Sequence, residues 1–213
     1  MAAADHRERD EDAVLRFWFG DPAELPAASA PSEAWLAQRM ALWFGGGAEA
    51  DAACRAQLAR WIEPAARGAL AAWEATPRGA LALVIVLDQA PRAVHRGTPR
   101  AFACDPQALA ACERALARGD DRALSPFERA FLYLPLEHAE DLAAQERSVA
   151  RYEALVRETP EPLRPPIASM AEYAAAHRDV IRRFGRFPHR NAILGRASTP
   201  AELAYLAEPG AGF

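Results

Sequence analysis

Apolar residues recur through this chain at intervals of three and four, the spacing that lines one face of an α-helix. The pattern predicts helices near 10–19, 32–43, 48–63, 65–74, 79–90, 105–118, 126–143, 144–158, 166–184 and 199–207. Several starts are marked. Ser125-Pro126-Phe127-Glu128 and Thr199-Pro200-Ala201-Glu202 read as capping boxes with proline at the first helical position. Asp105-Pro106 reads as a third start, with Asp105 as N-cap. Gly185 suits the left-handed position past a helix end, and Pro188 blocks renewal of the helix. Proline and glycine concentrate in the connections, Asp21 to Pro31, Gly45 to Gly47, Thr76 to Gly79 and Thr159 to Pro166.

The segment Ala80 to Leu87 is apolar at every position, so periodicity cannot separate a buried strand from a buried helix. No second strand candidate exists to pair with it, and an isolated strand leaves its backbone groups unsatisfied. It is therefore read as the central buried helix. The expected fold is all-α: an array of antiparallel helix pairs, a tetratricopeptide-like superhelix without clean sequence repeats. One domain over 1–213 is expected, with 1–9 as a flexible tail.

Three helices carry apolar stripes that turn polar. Leu81, Val84, Ile85 and Asp88 share one face. Phe127, Phe131, Leu134, His138, Asp141 and Gln145 form a second stripe, apolar for two turns and polar for the next two. Tyr173, His177, Ile181 and Phe184 form a third. Charged groups on a core-facing stripe must be paired, because desolvating a lone charge costs too much.

Composition narrows the chemistry. All 25 basic residues are arginines, which excludes Schiff-base chemistry, pyridoxal phosphate anchoring and a lysine-dependent phosphate loop. Net charge is -4, which argues against a general nucleic-acid or membrane-surface binder. Cys54, Cys104 and Cys112 form no metal or disulfide spacing and read as reduced thiols, so a cytoplasmic location is expected.

Two basic loops stand against this acidic background. Arg92, His95, Arg96 and Arg100 lie in the acid-free stretch Gln89 to Cys104. Val180 to Ser198 holds five arginines, one histidine and no acid, including Arg186, His189, Arg190 and Asn191. Asp88, Glu137, His138, Glu140 and Asp141 are the candidate partners. Asp88, Arg92, His138, Asp141, Arg186 and His189 are expected to converge, with His138 and His189 as candidate general bases or acids. His138 and Asp141 alone do not make a metal site, so neither metal nor cofactor is expected. Asp105 is read as a cap, His177 as a core histidine and the tryptophans as core packing. Arg183 is read as a surface pair with Asp179.

Four strings resemble a known family. They are Val14 to Gly20, Leu87 to Arg92 with Arg96 to Ala103, Phe131 to Leu142, and Phe184 to Asn191. In order and over nearly the whole chain they are similar to the bacterial family catalogued as domain of unknown function 924. The resemblance implies an all-α, tetratricopeptide-like fold and no established reaction. Ala90 stands where an aromatic is expected, and Leu136-Glu137-His138-Ala139 where the family pattern has Phe-Met-His-Ser.

Two functions compete. One is a polar pocket for an anionic small molecule, a phosphate or carboxylate, with hydrolytic chemistry. The other is a helical module that grips a peptide or protein partner, the charged cluster serving as a structural ion-pair network.

Overall fold

Residues 10–21 and 32–212 are described in the computed structural model, and every regular element among them is helical. The expected 1–9 tail and most of the Asp21 to Pro31 connection lie outside the described residues. Helix α1 is Asp10–Phe19, α2 Glu33–Trp43, α3 Ala48–Ala66, α4 Pro77–Val84 and α5 Ala90–Val94. Then follow α6 Asp105–Arg118, α7 Pro126–His138, α8 Leu142–Glu158, α9 Arg164–Phe184 and α10 Pro200–Leu206.

The Ala80–Leu87 segment is helical and buried, as its lack of a strand partner requires. Thr76 caps α4 by accepting from the Gly79 N–H at 3.0 Å. The helix then widens into a π turn, Ile85–Gln89, before continuing as α5. The Ala90 N–H donates to the Ile85 carbonyl, five residues back. Pro91 follows at once, and its ring cannot sit inside an unperturbed α-helical ladder. The wide turn absorbs that conflict.

Two predicted helices are redrawn. The expected 65–74 helix does not form; α3 runs on to Ala66, and a 3-10 turn, Ala71–Ala75, follows. Gly68, at φ 76, takes the left-handed conformation that ends a helix. The expected 126–143 helix stops at His138, because Ala139 is extended and Asp141 caps α8. Gln145 donates to the Glu137 and Ala139 carbonyls at 2.5 and 2.8 Å, satisfying acceptors that the end of α7 leaves open. The stripe from Phe127 to Gln145 is thus divided between two helices.

The core gathers on α4 and α7. Helix α4 packs against α1, α6 and α7, and α8 lies between α7 and α9. Phe131 is fully buried, its ring centroid 4.7 Å from Trp43, 5.6 Å from Trp18 and 5.5 Å from Phe19. Polar atoms of α2 close the end of α1. The Trp43 and Trp35 indoles donate to the Trp18 and Phe19 carbonyls at 2.9 and 3.2 Å, and Arg39 donates to the Phe17 carbonyl at 2.9 Å.

Candidate functional site

Asp88 sits in the π turn, 1% exposed, at the polar end of an otherwise apolar face. Single π turns occur often at functional positions, because the extra residue re-aims side chains. Here the turn brings Asp88, Gln89 and Arg92 together. Gln89 donates to Asp88 Oδ2 at 2.6 Å. Arg92 reaches back to the Asp88 carbonyl at 2.8 Å and to its carboxylate at 3.4 Å. Burial alone would raise the Asp88 pKa, but Arg92 and His138 outweigh it and hold the carboxyl below its ordinary value.

His138, at the end of α7, faces Asp88 with Nδ1 2.8 and 3.0 Å from the two carboxylate oxygens. An ionised carboxylate only accepts, so His138 carries its proton on Nδ1 and its lone pair on Nε2. Burial, with Arg92 nearby, lowers the His138 pKa. Glu137, on the neighbouring turn position, is 4% exposed. Its Oε1 lies 3.2 Å from His177 Nδ1, and among the described residues its Oε2 accepts no hydrogen bond. Burial first, and then the Asp88 charge, push Glu137 up to about 8. His177 on α9 also sets Nδ1 2.9 Å from the Tyr173 carbonyl, and burial takes it down to about 3. Glu137, His138 and His177 each offer one ligand atom within 4.8 Å of the others.

The third component comes from α6 and the 3-10 turn Pro188–Arg190. Arg92 forks onto Asp105, with Nη1 and Nη2 at 2.8 and 3.1 Å from its two oxygens. Arg190 Nη1 reaches the same carboxylate at 3.2 Å. Its guanidinium lies between the rings of Phe187 and Phe102, 4.4 and 4.7 Å from their centroids. Arg190 is 6% exposed and, among the described residues, its Nε has no hydrogen-bond partner. Burial and the neighbouring Arg92 cation bring its pKa down to about 10. His189 adjoins the Phe187 ring at 5.6 Å, and burial with the Arg190 charge lowers it to about 4.

Asp88, Arg92, His138, His189 and Arg190 therefore share one neighbourhood. The other predicted members do not. Asp141 caps α8, accepting from the Ala144 N–H at 2.7 Å. Arg186 turns to Glu202, with Nε and Nη2 at 2.6 and 2.9 Å from its oxygens. Glu140 accepts from Arg196 at 2.6 and 2.9 Å and from the Phe187 N–H at 2.8 Å, tying down the segment that carries Arg190. Asn191 is buried, held by Ser198 and Arg196 at 3.0 Å each. Arg100 is exposed. Arg183 lies over Phe184 and Tyr205, while Asp179 pairs with Arg178 and Arg182. Asp105 is not the expected N-cap; that position falls to Cys104, and Asp105 carries the two arginines instead. Glu137, His177, Asp105 and the ring of Phe187 complete a cluster that helical spacing alone could not assemble. The sequence signal for Asp105 was its place as the first acid after a long basic stretch.

The Arg186–Glu202 pair makes the acid response testable. Arg186, with the Thr199 backbone N–H, holds Glu202 down to about 2, whereas a free glutamate titrates near about 4.3. Stability from the pair is complete above the unfolded pKa and is lost as pH falls through the folded one. The stability difference between wild type and Arg186→Ala should therefore stay constant from pH 7 to 5 and shrink towards pH 3. Denaturant midpoints at the three pH values measure it; an equal difference at pH 3 would refute the pairing.

A model described as a bacterial protein of unknown function, DUF924, matches residues 14–210. The chain belongs to that family. It is also similar to the solved structure of a protein of unknown function from Agrobacterium tumefaciens, at 34% identity. That match covers 92% of this chain and 96% of the other, with a TM-score of 0.72. No match is found among curated proteins. In this DUF924 chain, Ala90 follows the π turn directly and is fully buried. Ala139 has no hydroxyl to offer, and its carbonyl accepts from Gln145. Among the described residues, no helix is long and apolar enough to cross a membrane.

Proposed function

We propose that the cluster binds a small oxyanion, a phosphate or a carboxylate, at Arg190, beside the imidazoles of His138 and His189. The observation that carries this reading is the incomplete pairing of Arg190. Among the described residues, its buried guanidinium makes a single hydrogen bond, to a carboxylate already forked onto Arg92, and its Nε has no partner. A buried cation in that state is stabilised by a second anion, and arginine's planar donors match carboxylate and phosphate oxygens. Phe102 and Phe187 hold the guanidinium plane in place before any ligand arrives. Hydrolytic proton transfer would fall to the adjacent imidazoles.

The structural-network reading also has support, in a different place. Arg186 with Glu202 and Arg196 with Glu140 are complete bidentate pairs that fasten the segment around Arg190. They are scaffold to the site. Thermal unfolding with and without phosphate, or with small dicarboxylates, tests the proposal. Wild type and Arg186→Ala should both gain stability from the anion, by about 2.7 kcal/mol at a hundredfold excess over Kd. Arg190→Gln should gain none. Absence of any anion effect on the wild type would overturn the anion site and leave a structural network.

A further inference from the structure

We propose that Glu137, His138 and His177 form a site for one divalent first-row transition metal ion. The proposal rests on their placement. One carboxylate oxygen and two imidazole nitrogens lie within 4.8 Å of one another, contributed by the end of α7 and the middle of α9. Tetrahedral ligands at ~2.1 Å from a metal are ~3.4 Å apart, so modest closure of three side chains completes the set. All three are buried or nearly so, with side chains 5%, 14% and 7% exposed.

Two further observations point to a cation. Each histidine already has the outer partner that metal-bound histidines use. His138 gives its Nδ1 proton to Asp88, and His177 directs Nδ1 at the Tyr173 carbonyl. His138 is thereby set with Nε2 as its lone-pair nitrogen; the His177 Nδ1 proton lies between the Tyr173 carbonyl and Glu137 Oε1, 3.2 Å away, which leaves Nε2 as the lone-pair nitrogen there too. Glu137 supplies the second observation. Among the described residues its buried Oε2 accepts no hydrogen bond, because the nearby Tyr152 hydroxyl gives its proton to the Ala130 carbonyl at 2.8 Å, an arrangement native structures rarely leave uncompensated. A bound cation would satisfy it. Two nitrogens and one carboxylate oxygen suit zinc, iron(II), cobalt or manganese, and leave at least one position open.

Charge balance links this site to the oxyanion reading. Arg92 and Arg190 are offset by Asp88 and Asp105. An ionised Glu137 with a divalent ion would give the cluster a net charge of about +1, which favours an anion at the open position. The metal proposal rests on the oxyanion reading only for that occupant. With the ion in place, His138 Nε2 would be a ligand, and His189 would be the imidazole left for proton exchange.

The test uses the whole chain, free of any affinity tag and treated with chelator, in a non-coordinating buffer without phosphate. Calorimetric titration with zinc should show one equivalent bound per chain. Glu137→Gln and His177→Ala should weaken binding by at least about tenfold, with His189→Ala unchanged. Circular dichroism establishes that each variant is folded. Cobalt substitution of the wild type gives a readout independent of the variants. Its visible spectrum should show nitrogen and oxygen ligation without the thiolate charge-transfer bands that Cys54, Cys104 or Cys112 would produce. No stoichiometric binding by the wild type, a thiolate spectrum, or undiminished binding in folded variants would overturn the proposal. Zinc binding without any phosphate response leaves this site standing and removes only the oxyanion reading. Phosphate stabilisation without zinc binding does the reverse.

Discussion

Arg92→Ala is expected to destabilise the protein by about 3–5 kcal/mol, the cost of stranding a buried charge. Arg92 is the shared cation of Asp88 and Asp105, and it also donates to the Asp88 carbonyl that the π turn leaves within reach. Its removal leaves Asp88, 1% exposed, with Gln89 and His138 as its side-chain partners among the described residues. Asp105 keeps the 3.2 Å contact from Arg190. The effect should far exceed that of Arg114→Ala. That side chain is 52% exposed and forks onto Glu74 at the surface, where such pairs are worth about 0–1 kcal/mol. Urea midpoints of the two variants, at unchanged slope, decide the matter. Equal small losses would mean that the Asp88–Arg92–Asp105 cluster does not hold the fold.

Phe131→Ala should cost a similar amount, about 3–5 kcal/mol, for an unrelated reason. Phe131 is fully buried where α7 meets α1 and α2, and its ring touches Trp18, Phe19, Trp43 and Phe44. Truncation removes the transfer free energy of the ring and leaves a cavity. The surrounding rings are held by other bonds. Trp43 is anchored to the Trp18 carbonyl at 2.9 Å, and Trp35 to the Phe19 carbonyl at 3.2 Å. They cannot slide into the space without breaking these bonds, so little of the loss should be recovered. Chemical denaturation followed by tryptophan fluorescence measures the loss. A cost near 1 kcal/mol would show that the aromatic cluster collapses freely.

Helix starts and stops were legible in the chain because they depend on neighbours in sequence. Thr199 and Glu202 make their reciprocal cap, and Gly185 takes φ 72 with its N–H on the Ile181 carbonyl at 2.7 Å. The burial of Asp88 was legible too, from its place at the end of an apolar face. Its partner Arg92 lay one helical turn away. Tertiary packing decided the rest. Arg186 and Arg190 sit four residues apart in one basic segment, yet the 3-10 turn at Pro188–Arg190 sends one to Glu202 on α10 and the other to Asp105 on α6. Asp105 opens a helix, and its sequence neighbours mark it as a cap; only the approach of α5 and the 188–190 turn makes it a shared counter-ion. Glu137 and His177 meet because α7 and α9 pack together. Periodicity and capping are local, so the sequence carries them openly. The pairing of buried charges depends on which helix ends the hydrophobic core brings together, and that is set by packing between residues far apart in the chain.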